Sequence, residues 1–448
     1  MDFTLDALRT ILSGKNSMPR LTSIAVEHYR AFERGLSLNL RPLTLIYGKN
    51  NAGKSSVVRL AGILHDSLAE STKSPFDLSG DAGGDATFLD VLNARDRELK
   101  YLRLALTWDD GFEAAWRIGL HEVDGMGRVR VEDLLVTGPV EPMAGQARSM
   151  CWYGDPKVPE VAPPEGADRV ESITFGGLVP LEMPPLPPLL SDLRARLLEI
   201  RGHVQYLSAV RAKPISGIEE RGAQPNLSAD GKNAQEILLY DRTARSEVET
   251  WLRREVKRDL RRERVGAKEW RWLLPPVAAP ELTIPLASTG EGMVQVLPIL
   301  VALALRRTAA RPDGMRYLAM EEPTTHLHDD LQIQLARHFA AIATEPNAPV
   351  VLLETHARPL LLGVQLAIKE GLDPSLVILY WVDQDEKGIS HAEAVEFDRD
   401  GLPTNSRLRT AFTDERRLLG QLSKAHLHGR LPTVDDGVGG STGEPSPR

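Results

Sequence analysis

The chain has 448 residues, 42% hydrophobic and 26% charged, and its 36 Gly and 31 Pro fall short of a low-complexity composition, so it can bury a substantial core. With 54 Lys and Arg against 62 Asp and Glu, the net charge of −8 gives no global pull towards nucleic acid or an anionic membrane; such contact needs a local patch. The single cysteine, Cys151, excludes an intramolecular disulfide framework and a cysteine zinc cluster, and points to a reducing compartment.

Residues 1–20 read as a short amphipathic helix, with Phe3, Leu5, Leu8, Ile11 and Leu12 on one stripe and Gly14 closing it. No basic n-region precedes an apolar core there, so no secretory signal is expected. Strand-like runs follow at Leu21 to Phe32, Leu36 to Leu40 and Leu43 to Tyr47, and a helix is expected from Lys54. Residues 76–99 are a Gly/Asp-rich loop. Alternating runs such as Tyr101 to Trp108 and Ala114 to Leu120 predict an antiparallel sheet within 100–185, ended by a Pro-rich connector. Helical periodicity returns at Leu189 to Ile200 and at Asn233 to Arg264. Residues 276–430 alternate apolar strands with helices, as a parallel α/β sheet does. The longest apolar run, Val296 to Leu305, is about half the ~20 residues of a membrane span, so a soluble, cytoplasmic protein without membrane contact is expected. The tail from Asp435 has almost nothing to bury.

The densest chemistry lies at Gly48-Lys-Asn50-Asn51-Ala-Gly53-Lys54-Ser55-Ser56. It matches G-x-x-x-x-G-K-[ST] with a strand before it and a helix after it. In that setting the glycines let successive backbone N–H groups and the helix N-terminus face a phosphate. Lys54 reaches the β/γ-phosphates, and the Ser55 hydroxyl ligates Mg²⁺.

Three further segments point to the same chemistry. Arg316 to Pro323 is a short apolar strand ending in two carboxylates, with Glu321 placed to hold the Mg²⁺ shell and Glu322 to orient an attacking water. Pro349 to His356 is a second buried-type strand whose terminal His356 can hydrogen-bond a γ-phosphate. Ser288-Thr-Gly290-Glu291 precedes the helical run from Met293, and a small helix N-terminus of this kind attracts anions.

In that order the four elements resemble the nucleotide site of ABC-type ATPases, and the chain is similar to the OLD/RecF-like branch, stand-alone relatives of the SMC and Rad50 heads. The resemblance is carried by Glu27 to Phe32, Leu43 to Ser56, Gly290 to Leu300, Glu321 to His328 and Glu354 to His356, with a faint extension through Tyr206 to Arg211. It implies an α/β P-loop NTPase fold of ABC-ATPase type with an antiparallel β lobe and a helical insertion. The expected divisions are an N-terminal helix extension (1–20), a lobe with the P-loop and antiparallel sheet (21–185), the insertion (186–275), a C-terminal lobe with signature, Walker B and switch histidine (276–430), and a disordered tail (431–448). The resemblance further implies that ATP and Mg²⁺ are bound, with Gly48, Asn50, Asn51, Gly53, Lys54, Ser55 and Ser56 on the nucleotide. Glu322 and His356 are the implied catalytic pair. Ser288, Gly290 and Glu291 are the implied signature residues, acting on the nucleotide of a second protomer. The Ser288 segment is not a full LSGGQ-type signature, and no heptad run supports coiled-coil arms.

Two further patterns bear on chemistry. His326 and His328 near Glu322 could ligate zinc, though a loop of the nucleotide site accounts for them. Asp383 and Asp385 offer a Toprim-like D-x-D, but the flanking strands and the Glu386-Lys-Gly388 turn predict a hairpin, so nuclease activity within the chain is not expected.

Two roles follow. One is an ATP-driven switch in antiphage defence or DNA maintenance, a homodimer or higher homo-oligomer joined through its ATP sites that signals to a separate effector, a nuclease in kind. The other is a RecF-like clamp that binds DNA directly in repair. The clamp draws on nine Lys/Arg and four Asp/Glu between Arg253 and Arg271, where a helix would put 254, 257, 258, 261 and 264 on one face. A solvated helix laced with ion pairs is the other reading of that stretch. A weakly hydrolysing ATP-binding scaffold is a third possibility, because Glu321 stands where Asp is usual.

Overall fold

In the computed structural model the described residues are 19–93, 95, 100–123, 126–139, 147–154, 165–182, 185–222, 226–307 and 314–405. The expected helix within 1–20 falls almost wholly outside them, as do the end of the expected C-terminal lobe and the tail, in 406–448. The chain divides into two compact units, Met1–Leu402 and Pro403–Arg448, and the description concerns the first.

Strands β1 (Leu21–Glu27), β2 (Leu36–Asn39) and β3 (Leu43–Gly48) lead into helix α1 (Lys54–Ser67). Four longer strands follow, β4 (Tyr101–Trp108), β5 (Glu113–Val123), β6 (Met126–Pro139) and β7 (Ala147–Tyr153). Helix α2 (Pro188–His203) runs directly into β8 (Val204–Leu207), and then come α3 (Ala234–Tyr240), α4 (Arg242–Trp251), β9 (Arg261–Arg264) and β10 (Glu269–Leu273). The chain continues with α5 (Glu291–Ala304), β11 (Tyr317–Glu321), α6 (Asp329–Ala343), β12 (Val350–Thr355), α7 (Arg358–Lys369), β13 (Val377–Gln384) and β14 (Ser390–Val395).

Two large sheets result, beside two small ones of two and three strands, and burial patterns explain why the large ones differ. The first runs β2-β1-β4-β5-β6-β7 and ends in the two-residue strand Asp168–Arg169. Its named strands pair antiparallel, and β4 alternates buried with half-buried residues, as one covered face requires. The second runs β8-β11-β12-β3-β13-β14, parallel except for the β13–β14 hairpin. Strands β3 and β11 are buried at every residue, the continuous apolar run of a parallel strand covered on both faces.

One apolar cluster joins the sheets. Val57, Leu60 and Leu64 of α1 and Leu193 and Leu197 of α2 pack between Leu104 and Trp116 of the antiparallel sheet and Ala319, Leu352 and Ile378 of the parallel sheet. Helix α1 therefore lies on the face of the parallel sheet to which Tyr317, Ala319 and Glu321 point by alternation. The other set, including Leu43, Leu45, Val351 and Leu353, is equally buried, and α6 packs on β3 and β12.

Two expectations need correction. The segment 186–275 is not purely helical, since it also carries β8, β9, β10 and the short strand Ile218–Glu219 beside β10. The basic stretch is likewise not one helix, because Lys257 takes φ 58°, which ends the helix at Val256, and Arg261 to Arg264 pair antiparallel with Trp270 to Leu273. The physical reason is packing: Trp272 and Leu273 of β10 are buried, and Arg262 and Arg264 lie over the Trp270 ring at 5.0 and 5.8 Å, so tertiary contacts override helical periodicity. The hairpin at Asp383 and Asp385 is as the sequence predicts, with Asp385 accepting from the backbone N–H groups of Lys387 and Ile389 in the turn.

Candidate nucleotide site

The P-loop joins β3 to α1. A Cβ at Gly48 would lie 1.9 Å from the Val382 carbonyl oxygen, so only glycine lets the loop leave β3 this close to β13. Gly53 has φ 94° immediately before the first helical residue, Lys54, a conformation that glycine reaches without penalty. Asn51, at φ 63°, adds a second left-handed residue, and the curl folds around Lys54. The Lys54 ammonium is buried and donates to the Lys49 carbonyl oxygen at 2.8 Å. Lys49 itself pairs with Asp383 of β13 at 3.2 Å.

Strand order brings the other elements to this loop. β12 lies between β3 and β11, and Glu321 and Glu354 are partners in the parallel register. Glu322, one residue past the strand, has φ 39° and is held by its backbone N–H donating to the Glu354 carbonyl oxygen at 2.9 Å. A left-handed glutamate costs roughly 1 kcal/mol or more, and it turns the side chain away from the Glu321 face. There it meets His356, whose Nδ1 lies 2.7 Å from Glu322 Oε1. The Tyr47 hydroxyl donates to the His356 carbonyl oxygen at 3.0 Å and so fixes the histidine to the P-loop strand. The second carboxylate oxygen of Glu322 is buried with no hydrogen-bond partner.

The structure does not bring Glu321 to Ser55. Its carboxylate accepts from Arg59 Nε at 2.7 Å, Arg59 Nη2 at 3.2 Å and the Tyr206 hydroxyl at 2.5 Å. Burial and the adjacent carboxylate push the Tyr206 phenol well above its usual range, so it remains a donor. Ser55 instead donates to Glu354 at 2.7 Å. Burial pushes Glu354 up to about 7, against the lowering effect of the Ser55 hydrogen bond.

Arg211 ties β11 to α5. Its Nη2 donates to the Glu321 carbonyl oxygen at 2.7 Å, and its Nη1 to the Glu322 carbonyl oxygen at 3.2 Å and to Gln295 Oε1 of α5 at 2.8 Å. Desolvation lowers Arg211 to about 10, which still leaves it a cation at neutral pH. Ser288, Gly290 and Glu291 sit at the exposed start of α5, where a Cβ on Gly290 would meet nothing within 4 Å and Glu291 pairs with Lys213 at 3.2 Å. The loop after Glu322 adjoins this helix start, since a Cβ at Gly292 would lie 3.2 Å from the His326 carbonyl oxygen.

Among the described residues no group of three or more His, Cys, Asp and Glu could hold a metal ion, so no further ligand joins His326 and His328 there. A magnesium site of the P-loop kind is not of that type, because hydroxyl, carboxylate and phosphate oxygens supply it. Arg59, Tyr206, Gln295 and Glu354 all hydrogen-bond within this cluster without a role assigned from sequence. Arg59, four residues after Ser55 on α1, is the one that spacing could have revealed.

A P-loop strand flanked by β12 and then by the Glu-Glu strand, an antiparallel sheet packed on α1, and a helix start reaching the loop after Glu322 together decide the architecture. The fold is mixed α/β, with a strand, a glycine-containing loop and a helix N-terminus of the phosphate-binding kind in the middle of its mostly parallel sheet. No protein-family model and no curated protein matches the chain. Solved structures similar to it include two SMC heads. One is an SMC head bound to the C-winged helix domain of ScpA, at 10% identity and a TM-score of 0.48, covering 84% of this chain and 98% of that one. The other is the SMC head domain from Thermotoga maritima, at 12% identity and a TM-score of 0.39, covering 84% of this chain and 99% of that one.

Proposed function

We propose that the chain binds and hydrolyses ATP with Mg²⁺, that ATP draws two copies together, and that the dimer signals to a separate effector, in kind a nuclease, in antiphage defence or DNA maintenance. The observation that carries the reading is the Glu322–His356 pair, 2.7 Å apart at the ends of the strands next to the P-loop strand. Glu322 has one oxygen on His356 and one buried oxygen without a partner, the arrangement a carboxylate needs to orient a water and take its proton. With Nδ1 on the carboxylate, His356 presents Nε2 outward, where a γ-phosphate can be met. Lys54 leaves the Lys49 carbonyl for the β/γ-phosphates, and the backbone N–H groups before α1 hold the phosphate chain. Magnesium, when bound, neutralises charge on the phosphates as the γ-phosphoryl group departs.

The exposed start of α5 supports the dimeric part of the reading. Gly290 fronts open space between the exposed Ser288 and Glu291 at a helix N-terminus, where an anion is favoured, and the γ-phosphate of a second copy is the anion this reading supplies. A cytoplasmic setting fits a single, buried cysteine. Among the described residues no helix is long and apolar enough to cross a membrane.

The DNA-clamp reading has less behind it, because the basic stretch is spent internally. Arg253 and Arg261 pair with Asp259 at 2.8 and 3.1 Å, Arg271 with Glu263, and Lys257 donates to the Arg254 carbonyl oxygen. Light scattering of the wild type and of Glu322→Gln with and without Mg·ATP tests the switch. The variant should gain mass with ATP, and Ser288→Arg added to it should reverse that gain; an ATP-independent mass for Glu322→Gln would sink the dimerisation mechanism.

A further inference from the structure

Glu321 and Glu354 end neighbouring parallel strands in register, so alternation sends both side chains to the face covered by α1. On α1, Ser55 and Arg59 are four residues apart and share the helix surface that looks back at the two carboxylates. Two separate pairs form there. Arg59 takes Glu321 with a two-pronged contact, Nε to Oε1 at 2.7 Å and Nη2 to Oε2 at 3.2 Å, and the Tyr206 hydroxyl adds a second donor to Oε1 at 2.5 Å. Both oxygens of Glu321 are therefore engaged by protein donors, one of them a permanent cation. Ser55 pairs with Glu354, donating to Oε1 at 2.7 Å. The remaining oxygen of Glu354 is buried and has no hydrogen-bond partner, in a residue only 4% exposed. A buried carboxylate oxygen without a donor is unfavourable until something meets it.

We propose that Glu354 supplies the protein carboxylate of the magnesium site, and that Glu321, the residue next to the water-orienting glutamate, is instead a positioning residue that holds Arg59 and Tyr206 against β11. The proposal rests on the P-loop being a Mg·ATP site. Magnesium takes oxygen ligands in a tight shell, usually one or two carboxylates together with phosphates and waters. The Ser55 hydroxyl and the Glu354 carboxylate already converge, and both are ligands of that kind. Bringing Glu321 to the metal would strip its oxygens from Arg59 and strand a half-buried guanidinium beside a dication. Drawing Glu354 to the metal releases only a serine hydroxyl, which can itself ligate. The arrangement also accounts for a glutamate two residues before His356 on a strand otherwise apolar from Val350 to Leu353.

The test separates the metal contribution to nucleotide affinity from turnover. Binding of fluorescent ATP is measured in EDTA and in Mg²⁺, and bound Mn²⁺ is followed by electron paramagnetic resonance in the presence of nucleotide. Glu354→Gln, nearly isosteric, should keep its metal-free affinity while losing about tenfold or more of the magnesium-dependent gain and broadening or losing the bound Mn²⁺ signal. Glu321→Gln should retain the gain and the signal but melt at a lower temperature. Tyr206→Phe disturbs the Glu321 cluster without removing its charge and should likewise retain the gain, so the comparison survives if Glu321→Gln fails to fold. Loss of the magnesium gain in Glu321→Gln or in Tyr206→Phe, or its full retention in Glu354→Gln, overturns the assignment. A wild-type protein that binds nucleotide neither in EDTA nor in Mg²⁺ refutes the underlying P-loop reading, a result distinct from any of these.

Discussion

His356 Nδ1 lies 2.7 Å from Glu322 Oε1, and the two residues reach each other from the ends of adjacent strands, 34 positions apart in sequence. The contact exists because Glu322 takes a left-handed backbone conformation just past β11 while Tyr47 holds the His356 carbonyl from the P-loop strand. Backbone strain is thus stored at the residue that the proposed chemistry needs most.

Lys54 is the first test of the phosphate-binding role. Lys54 is 5% exposed and its ammonium donates to the Lys49 carbonyl within the loop, so Lys54→Ala removes a buried cation from the curl. Loss of charge-assisted contacts to phosphate should weaken binding of labelled ATP by about a hundredfold. Filter binding of the variant at wild-type affinity would be incompatible with the P-loop assignment.

Much of this site is legible in the sequence, and the part that is not has a common cause. Gly48 to Ser55 declares itself because the backbone geometry of a phosphate cradle demands glycines and a lysine at fixed spacing. The β13–β14 hairpin was likewise readable from its alternation and turn residues. The partner of Ser55 was not, because whether Glu321 or Glu354 meets it depends on the β11–β12 register and on the rotation of α1, and both are set by packing. The basic stretch misled for a similar reason. Its charges repeat with helical spacing, yet Trp270 and Trp272 alternate with arginine as a strand does, and burial of Trp272 decided the outcome.

Tyr206 provides a stability test of the carboxylate cluster. Its hydroxyl donates to the nearly inaccessible Glu321 carboxylate at 2.5 Å, beside the Arg59 fork. Tyr206→Phe leaves the ring packed and removes one donor to a buried charge, so it should lower unfolding stability by roughly 1–3 kcal/mol. Urea denaturation measures this directly, and an unchanged midpoint would mean that Arg59 alone satisfies Glu321.

His338 predicts how acid affects the fold. The ring packs near Trp251, with centroids 6.3 Å apart, and burial together with the positive charges of Arg306 and Arg254 lowers it to about 4, against the opposing effect of Glu345. The folded state therefore binds this proton less readily than the unfolded chain, whose histidines titrate near 6.5. The stability His338 contributes is complete above pH 6.5 and is lost as pH falls towards 4. In His338→Gln the urea midpoint should fall less steeply between those limits than in the wild type. Parallel profiles would show that other groups carry the acid sensitivity.

In the proposed reaction Glu322 orients the water that cleaves ATP, and steady-state phosphate release reads that role directly. Glu322→Gln preserves shape and the option of a contact with His356 while removing the negative charge that accepts the water's proton. Wild-type protein should release phosphate in a Mg²⁺-dependent reaction, and the variant should bind ATP with similar affinity yet release phosphate at a rate lower by roughly 10²–10⁴. Release by Glu322→Gln at the wild-type rate, or none from the wild-type protein as an ATP-loaded dimer, would rule out a water-orienting Glu322.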